Sequence, residues 1–136
     1  MDLHRLITHT LEIQSIAAPT FHESERALYL KKKFENANLK NIEVDAVGNL
    51  YGLIAGSGSQ PLIVSAHMDT VFPKDTPLDS RREGDRLYGP GIGDNSIGLA
   101  ALVELAHDLP SKSLDRDIWL VANVCEEGLG NIRGMQ

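Results

Sequence analysis

Two short apolar runs constrain this chain more than any other feature: Leu62-Ile63-Val64-Ser65-Ala66 and Ile118-Trp119-Leu120-Val121-Ala122. Each is too continuously apolar for a strand with one wet face, so both are expected to be strands inside a sheet. Pro61 introduces the first, after a flexible turn over residues 56–60. Both runs end in groups that bind cations or move protons, His67 with Asp69 on one and Glu126 with Glu127 on the other. Between them, Asp94-Asn95-Ser96 precedes residues 97–106, whose apolar side chains cover nearly the whole circumference before Glu104 and His107 interrupt. That pattern predicts a helix buried against the sheet and ending before Pro110.

The rest of the chain supplies the flanking layers. Leu3, Leu6, Ile7 and Leu11 recur at helical spacing behind Asp2, an N-cap, and predict an amphipathic helix that ends before Pro19. Thr20 and Glu23 form a capping-box pattern, and Ala27, Leu30 and Phe34 carry an apolar stripe toward Asn36. From Ile42 the period falls to two: Ile42, Val44 and Ala46 alternate with Glu43 and Asp45, and Gly48-Asn49 punctuates before residues 50–55, which predicts a β-hairpin. Residues 70–90, rich in Pro, Asp, Arg and Gly, read as a long functional loop with a short edge hairpin inside it. The fold class is therefore α/β, a layered mixed sheet with parallel core strands flanked by helices. Residues 128–136 are expected to begin a further helix.

Composition removes several classes of function. The 136 residues, 42% hydrophobic and 24% charged, suit one packed core. Thirteen Lys+Arg against nineteen Asp+Glu leave a formal charge of -6. A nucleic-acid partner would need a basic face, and the only basic run, Lys31-Lys32-Lys33, lies in a helical pattern near Glu35 and reads as a solvated surface. No long apolar stretch marks a signal peptide or a membrane span, which predicts a cytoplasmic protein without a membrane partner. The single cysteine, Cys125, excludes an internal disulfide framework, and its apolar neighbours suit a small buried side chain. His4, His9, His22 and His107 lack ligand-spaced partners, and the glycines at 89, 91 and 93 lack the Lys-Ser/Thr ending of a phosphate loop.

Chemistry collects at the strand ends. In open α/β sheets the carboxyl ends of strands and the adjoining loops form the binding crevice, so His67, Asp69, Asp94, Glu126 and Glu127 are expected to converge there. One imidazole among several carboxylates resists desolvation unless cations compensate, and zinc accepts that N/O mixture. Asp69, two residues on, faces the same side as His67 and can accept the spare N–H of a metal-bound imidazole. Adjacent Glu126 and Glu127 should diverge, leaving one as a ligand and the other as a general base. Each signal alone is weak, because His-x-Asp often marks a surface turn and a lone Asp often starts a helix. Their joint order carries the reading.

These motifs resemble the di-zinc amidohydrolase and exopeptidase family that includes peptidase T, glutamate carboxypeptidase, acetylornithine deacetylase, succinyl-diaminopimelate desuccinylase and aminoacylase. The carriers are Ser65-Ala66-His67-Met68-Asp69-Thr70-Val71-Phe72-Pro73, Gly91-Ile92-Gly93-Asp94-Asn95-Ser96-Ile97-Gly98 and Cys125-Glu126-Glu127-Gly128. Ile16-Ala17-Ala18-Pro19-Thr20-Phe21-His22-Glu23 and Asp45-Ala46-Val47-Gly48-Asn49 look nearer the peptidase T-like branch. The resemblance implies that His67 binds one metal, Glu127 the other, and Asp94 bridges them, with Asp69 behind His67 and Glu126 as general base. It also implies two zinc ions, with cobalt or manganese as alternatives, and a small peptide or N-acyl amino acid as substrate. Against the family pattern, two ligands and the smaller lid and dimerisation domain are missing. Residues 1–136 are accordingly expected to be the N-terminal portion of a catalytic domain, inactive alone and prone to homo-oligomerise through exposed edges. The rival readings are a non-catalytic binding or oligomerisation module on the same fold, and a metallo-hydrolase of ureido or cyclic amides.

Overall fold

Asp2 starts the first helix, its carboxylate accepting from the backbone N–H of His4 and Arg5 at 2.8 and 3.3 Å. In this computed structural model, which describes residues 1–58 and 60–136, α1 spans Leu3–Gln14 and α2 spans Ser24–Asn36. The α2 stripe of Ala27, Leu30 and Phe34 is buried, as its spacing predicts. Its start differs from the predicted capping box. Thr20 donates to Asp69, and Glu23 accepts from the backbone N–H of Phe21 and Cys125. Buried polar groups on distant segments compete for these side chains and win, because an unpaired amide there is costly. The helix α3, Ile97–Asp108, is apolar almost all round and buries Leu99, Ala100, Leu102, Val103 and Ala106. Glu104 is buried with them, since Arg5 Nε and Nη2 donate to its carboxylate at 3.1 and 3.0 Å.

The strands β1 (Lys40–Val44), β2 (Leu50–Ile54), β3 (Leu62–His67) and β6 (Ile118–Asn123) form one mixed sheet in the order β1-β2-β6-β3. The predicted hairpin is β1–β2, antiparallel, and β2 pairs antiparallel with β6. The strands β3 and β6 run parallel, joined through α3, in a register from Leu62 opposite Ile118 to His67 opposite Asn123. In the loop between β3 and α3, β4 (Arg81–Glu83) and β5 (Arg86–Tyr88) make a separate two-stranded ribbon. The helices pack on one face, where Leu50, Leu120 and Ala122 meet Phe34, Leu30 and α3 in a single core.

Two further expectations need correction. Among the described residues β3 is an edge strand, not an interior one, and Leu62 and Ile63 are 46% and 65% exposed. A five-residue apolar run shows that a strand is built to be covered but does not say which neighbour covers it; β6, with a similar run, is central. Residues 128–136 form two short 3-10 turns, Gly128–Gly130 and Arg133–Met135, instead of an α-helix. Asn131 and Ile132, at φ 51° and 52°, take left-handed backbone between them and stop any helical continuation. The predicted 56–60 turn is tied to the loop before β6 by Gly56 N–H donating to Asp117 Oδ1, while Ser59 within it lies outside the described residues. No described helix is long and apolar enough to cross a membrane.

Candidate metal centre

The parallel register places the carboxyl ends of β3 and β6 side by side, and Met68 N–H extends the pairing by donating to the Asn123 carbonyl at 2.7 Å. His67 closes β3 and is buried. Its Nε2 lies 2.8 Å from Asp94 Oδ1 and 3.9 Å from Glu126 Oε2. Its Nδ1 faces Asp69, 3.1 Å from the backbone carbonyl and 3.5 Å from carboxylate Oδ1. Asp94 arrives from the turn Ile92–Ser96 ahead of α3, which Gly91 opens at φ 69°; the Asp94–Asn95 peptide is cis. One ligand atom each from His67, Asp94 and Glu127 all lie within 4.8 Å of one another.

All five sequence-predicted site residues therefore meet at one place, although Asp69 touches more than the imidazole. Fully buried, it accepts from Glu126 N–H through Oδ1 at 2.9 Å, and from Glu127 N–H and the Thr20 hydroxyl through Oδ2 at 3.0 and 2.9 Å. The two glutamates diverge less than strand alternation predicts. The strand β6 ends at Asn123 and Cys125 takes a φ of 56°, so the alternating rule no longer applies where they stand. Sequence reasoning missed Thr20, Glu23 and Arg26, which reach this region from the start of α2. Their spacing of three was visible, but it was equally the signature of a helix start. Cys125 is buried as expected, and burial together with the neighbouring Glu23 charge pushes its thiol up. His4, His22 and His107 are exposed and stand apart from the centre, and His9 bonds Glu12 on α1.

The electrostatics favour a cation. Burial by itself would lower the His67 pKa, but hydrogen bonds to Asp69 and Asp94 and the charge of Glu126 outweigh it and bring it up to about 9. Burial would raise Asp69, yet His67, the N–H groups of Glu126 and Glu127 and the Thr20 hydroxyl hold it at about 2. Glu127 is raised, first by burial and then by the charge of Asp94. Carboxylates thus outnumber the imidazole in a partly desolvated space. The donors fit a metal: zinc with bonds of about 2.0–2.1 Å keeps its N and O donors roughly 3.3 Å apart in a tetrahedron. The donor atoms here bracket that spacing, with His67 Nε2 and Asp94 Oδ1 2.8 Å apart and all three within 4.8 Å.

Known proteins share both the sequence pattern and the fold. A sequence profile of peptidase family M20/M25/M40 matches residues 63–136. Carboxypeptidase G2 from a Pseudomonas species is 42% identical over 57 residues, covering 40% of this chain and 14% of that protein. A tripeptidase from Staphylococcus aureus superposes with a TM-score of 0.81 at 25% identity, over 98% of this chain and 40% of that one. Aminopeptidase PepT from Bacillus cereus has the same fold, with a TM-score of 0.81 at 23% identity over 94% of this chain and 38% of that one. The chain thus spans less than half the length of each of these relatives.

Proposed function

This chain belongs to peptidase family M20/M25/M40, and we propose that it supplies the N-terminal part of the catalytic domain of a two-zinc hydrolase that cuts an amide bond in a small peptide or N-acyl amino acid. The observation that carries this reading is the convergence of His67, Asp94 and Glu127 within 4.8 Å at the ends of two parallel strands. His67 and Glu127 would each hold one cation and Asp94 would stand between. Bound there, the cations would make a water acidic enough to attack at neutral pH and would polarise the amide carbonyl.

The chain's own residues do the rest. Glu126, at the rim beside His67, takes the proton from the attacking water as its oxygen bonds to the carbonyl carbon. The same carboxyl then gives that proton to the nitrogen as the C–N bond breaks. Asp69 fixes the His67 ring from behind through Nδ1 and keeps its own charge, being held by two backbone N–H groups and a hydroxyl. Because the matched relatives are more than twice as long, we assign the remaining metal donors, a smaller closing domain and assembly into homo-oligomers to polypeptide outside residues 1–136. On this reading the enzyme works in the cytoplasm, and residues 1–136 alone turn over little or no substrate.

In the longer protein that carries this segment, Glu126→Gln is expected to lower kcat by about 100-fold or more while leaving bound zinc unchanged. His67→Ala should remove metal and activity together, and chelation of the wild type should be reversed by added zinc. Wild-type turnover by Glu126→Gln, or robust hydrolysis by residues 1–136 alone, would contradict this assignment.

A further inference from the structure

Three consecutive backbone amides carry the glutamate pair, and each donates to a buried carboxylate. Cys125 N–H donates to Glu23 Oε1 at 3.1 Å, Glu126 N–H to Asp69 Oδ1 at 2.9 Å and Glu127 N–H to Asp69 Oδ2 at 3.0 Å. Asp69 follows the same strand end as His67, whereas Glu23 belongs to neither strand and stands one residue ahead of α2. Two more side chains from that segment reach the same strand ends. Thr20 Oγ1 donates to Asp69 Oδ2 at 2.9 Å, and Arg26 donates through Nη1 to the Met68 carbonyl and through Nη2 to the Ile16 carbonyl, both at 2.7 Å.

Polarity is matched at both strand ends, while Arg26 Nε is buried without a partner among the described residues. An anion meets the free N–H after β6, and a cation meets the free carbonyl after β3. Glu23 and Arg26 are only 6% and 2% exposed. Burying a carboxylate and a guanidinium is expensive unless hydrogen bonds compensate, and here Glu23 accepts from two backbone amides and Arg26 donates to two carbonyls. Neither side chain bonds His67, Asp94 or Glu127; both bond the main chain that carries or adjoins them.

We propose that residues 20–26 form a clamp in which Thr20, Glu23 and Arg26 tie the ends of β3 and β6 together, set the separation of His67 from Glu127 and thereby set the affinity of the metal centre. This rests on the metal-binding reading of His67, Asp94 and Glu127. The three are positioning residues, since none touches the reacting atoms. Loss of Glu23 leaves Cys125 N–H without its acceptor at the hinge of the turn, so Asp69 alone holds the segment that carries both glutamates. Removing groups that orient metal ligands typically costs 10- to 100-fold in metal affinity.

The test compares the longer protein that carries this segment with its Glu23→Ala, Glu23→Gln and Thr20→Val variants, and with Leu102→Ala as a core-destabilised control that makes none of the clamp's hydrogen bonds. Amide hydrogen exchange without metal reads the clamp directly. Glu23→Ala should speed exchange at Cys125, Glu126 and Glu127 by tenfold or more relative to the core of α3, while Leu102→Ala should speed it broadly. Cobalt titration followed by the visible spectrum reads the consequence. Glu23→Ala should bind 10- to 100-fold more weakly with an altered spectrum, Glu23→Gln, which keeps an acceptor oxygen, should recover most of the loss, and Leu102→Ala should bind as the wild type does. Where Glu23→Ala does not fold, Thr20→Val carries the same comparison, with a smaller loss in the same direction. Fast exchange with unchanged cobalt affinity would overturn the proposal and leave a purely structural contact. Cobalt ignored by the wild type would overturn the metal reading and the affinity claim with it, while the exchange data would still show whether the clamp holds the turn.

Discussion

Glu104 illustrates how a single buried side chain can be misread from sequence. Its place in an apolar helix suggests the start of a wet face, yet the carboxylate is buried, bonded by Arg5 and by the backbone N–H of Asp2. Burial acts to raise its pKa, and the bonds from Arg5 and Asp2 overcome this, so it is lowered from the ordinary 4.5. A carboxylate lowered on folding stabilises the native state above its unfolded pKa, and that contribution disappears as pH falls through the folded value. Urea midpoints of the wild type should therefore drop as pH is lowered from about 5, and Glu104→Gln should start lower and fall less steeply; parallel profiles would refute the assignment. At the candidate metal centre, the convergence of His67, Asp69, Asp94, Glu126 and Glu127 was legible because four of them follow apolar runs and Asp94 stands just ahead of the helix between those runs. Thr20, Glu23 and Arg26 were not, since they bond main-chain atoms of remote segments, and a backbone partner leaves no mark in residue type.

At the level of elements, periodicity was a good guide to the existence of α1, α2, α3 and the β1–β2 hairpin, although Val44 of the alternating stripe on β1 is exposed. It failed where the outcome depends on neighbours or on backbone sign: β3 lies at an edge, and the left-handed Asn131 and Ile132 replace a helix with two tight turns. The junction of the Ile92–Ser96 turn with α3 shows how an element can govern the site. A Cβ on Gly98 would collide with the side chain of Asn95, the residue after Asp94. Ala is the better helix former by about 0.8–1.0 kcal/mol, so propensity alone would make Gly98→Ala stabilising. The contact instead displaces Asn95 and carries Asp94 with it. Gly98→Ala is expected to weaken zinc binding about tenfold in a competition titration with little change in melting temperature, and unaltered affinity would show that Asp94 tolerates the shift.

Across the whole molecule, the helices cover one face of the sheet, and the other presents Tyr51, Leu53, Ile63, Ser65, Trp119 and Val121 in register on neighbouring strands. The α/β class was readable from the alternation of helical and buried-strand patterns, and the position of the centre followed from the rule that α/β sheets bind at their carboxyl ends. The strand order and the exposure of Ile63 on that face were not, because apolar runs report a need for cover without naming its source. The proposed function depends on His67 and Glu127 each holding a cation with Asp94 between them. The most direct measurement is a crystal structure of the zinc-soaked protein with diffraction recorded on both sides of the zinc absorption edge. The account predicts one anomalous peak about 2.0–2.2 Å from His67 Nε2 and an Asp94 oxygen, and a second at about that distance from oxygens of Glu127 and Asp94. A zinc-saturated crystal with its anomalous peaks elsewhere and His67 still hydrogen-bonded to Asp94 would contradict it.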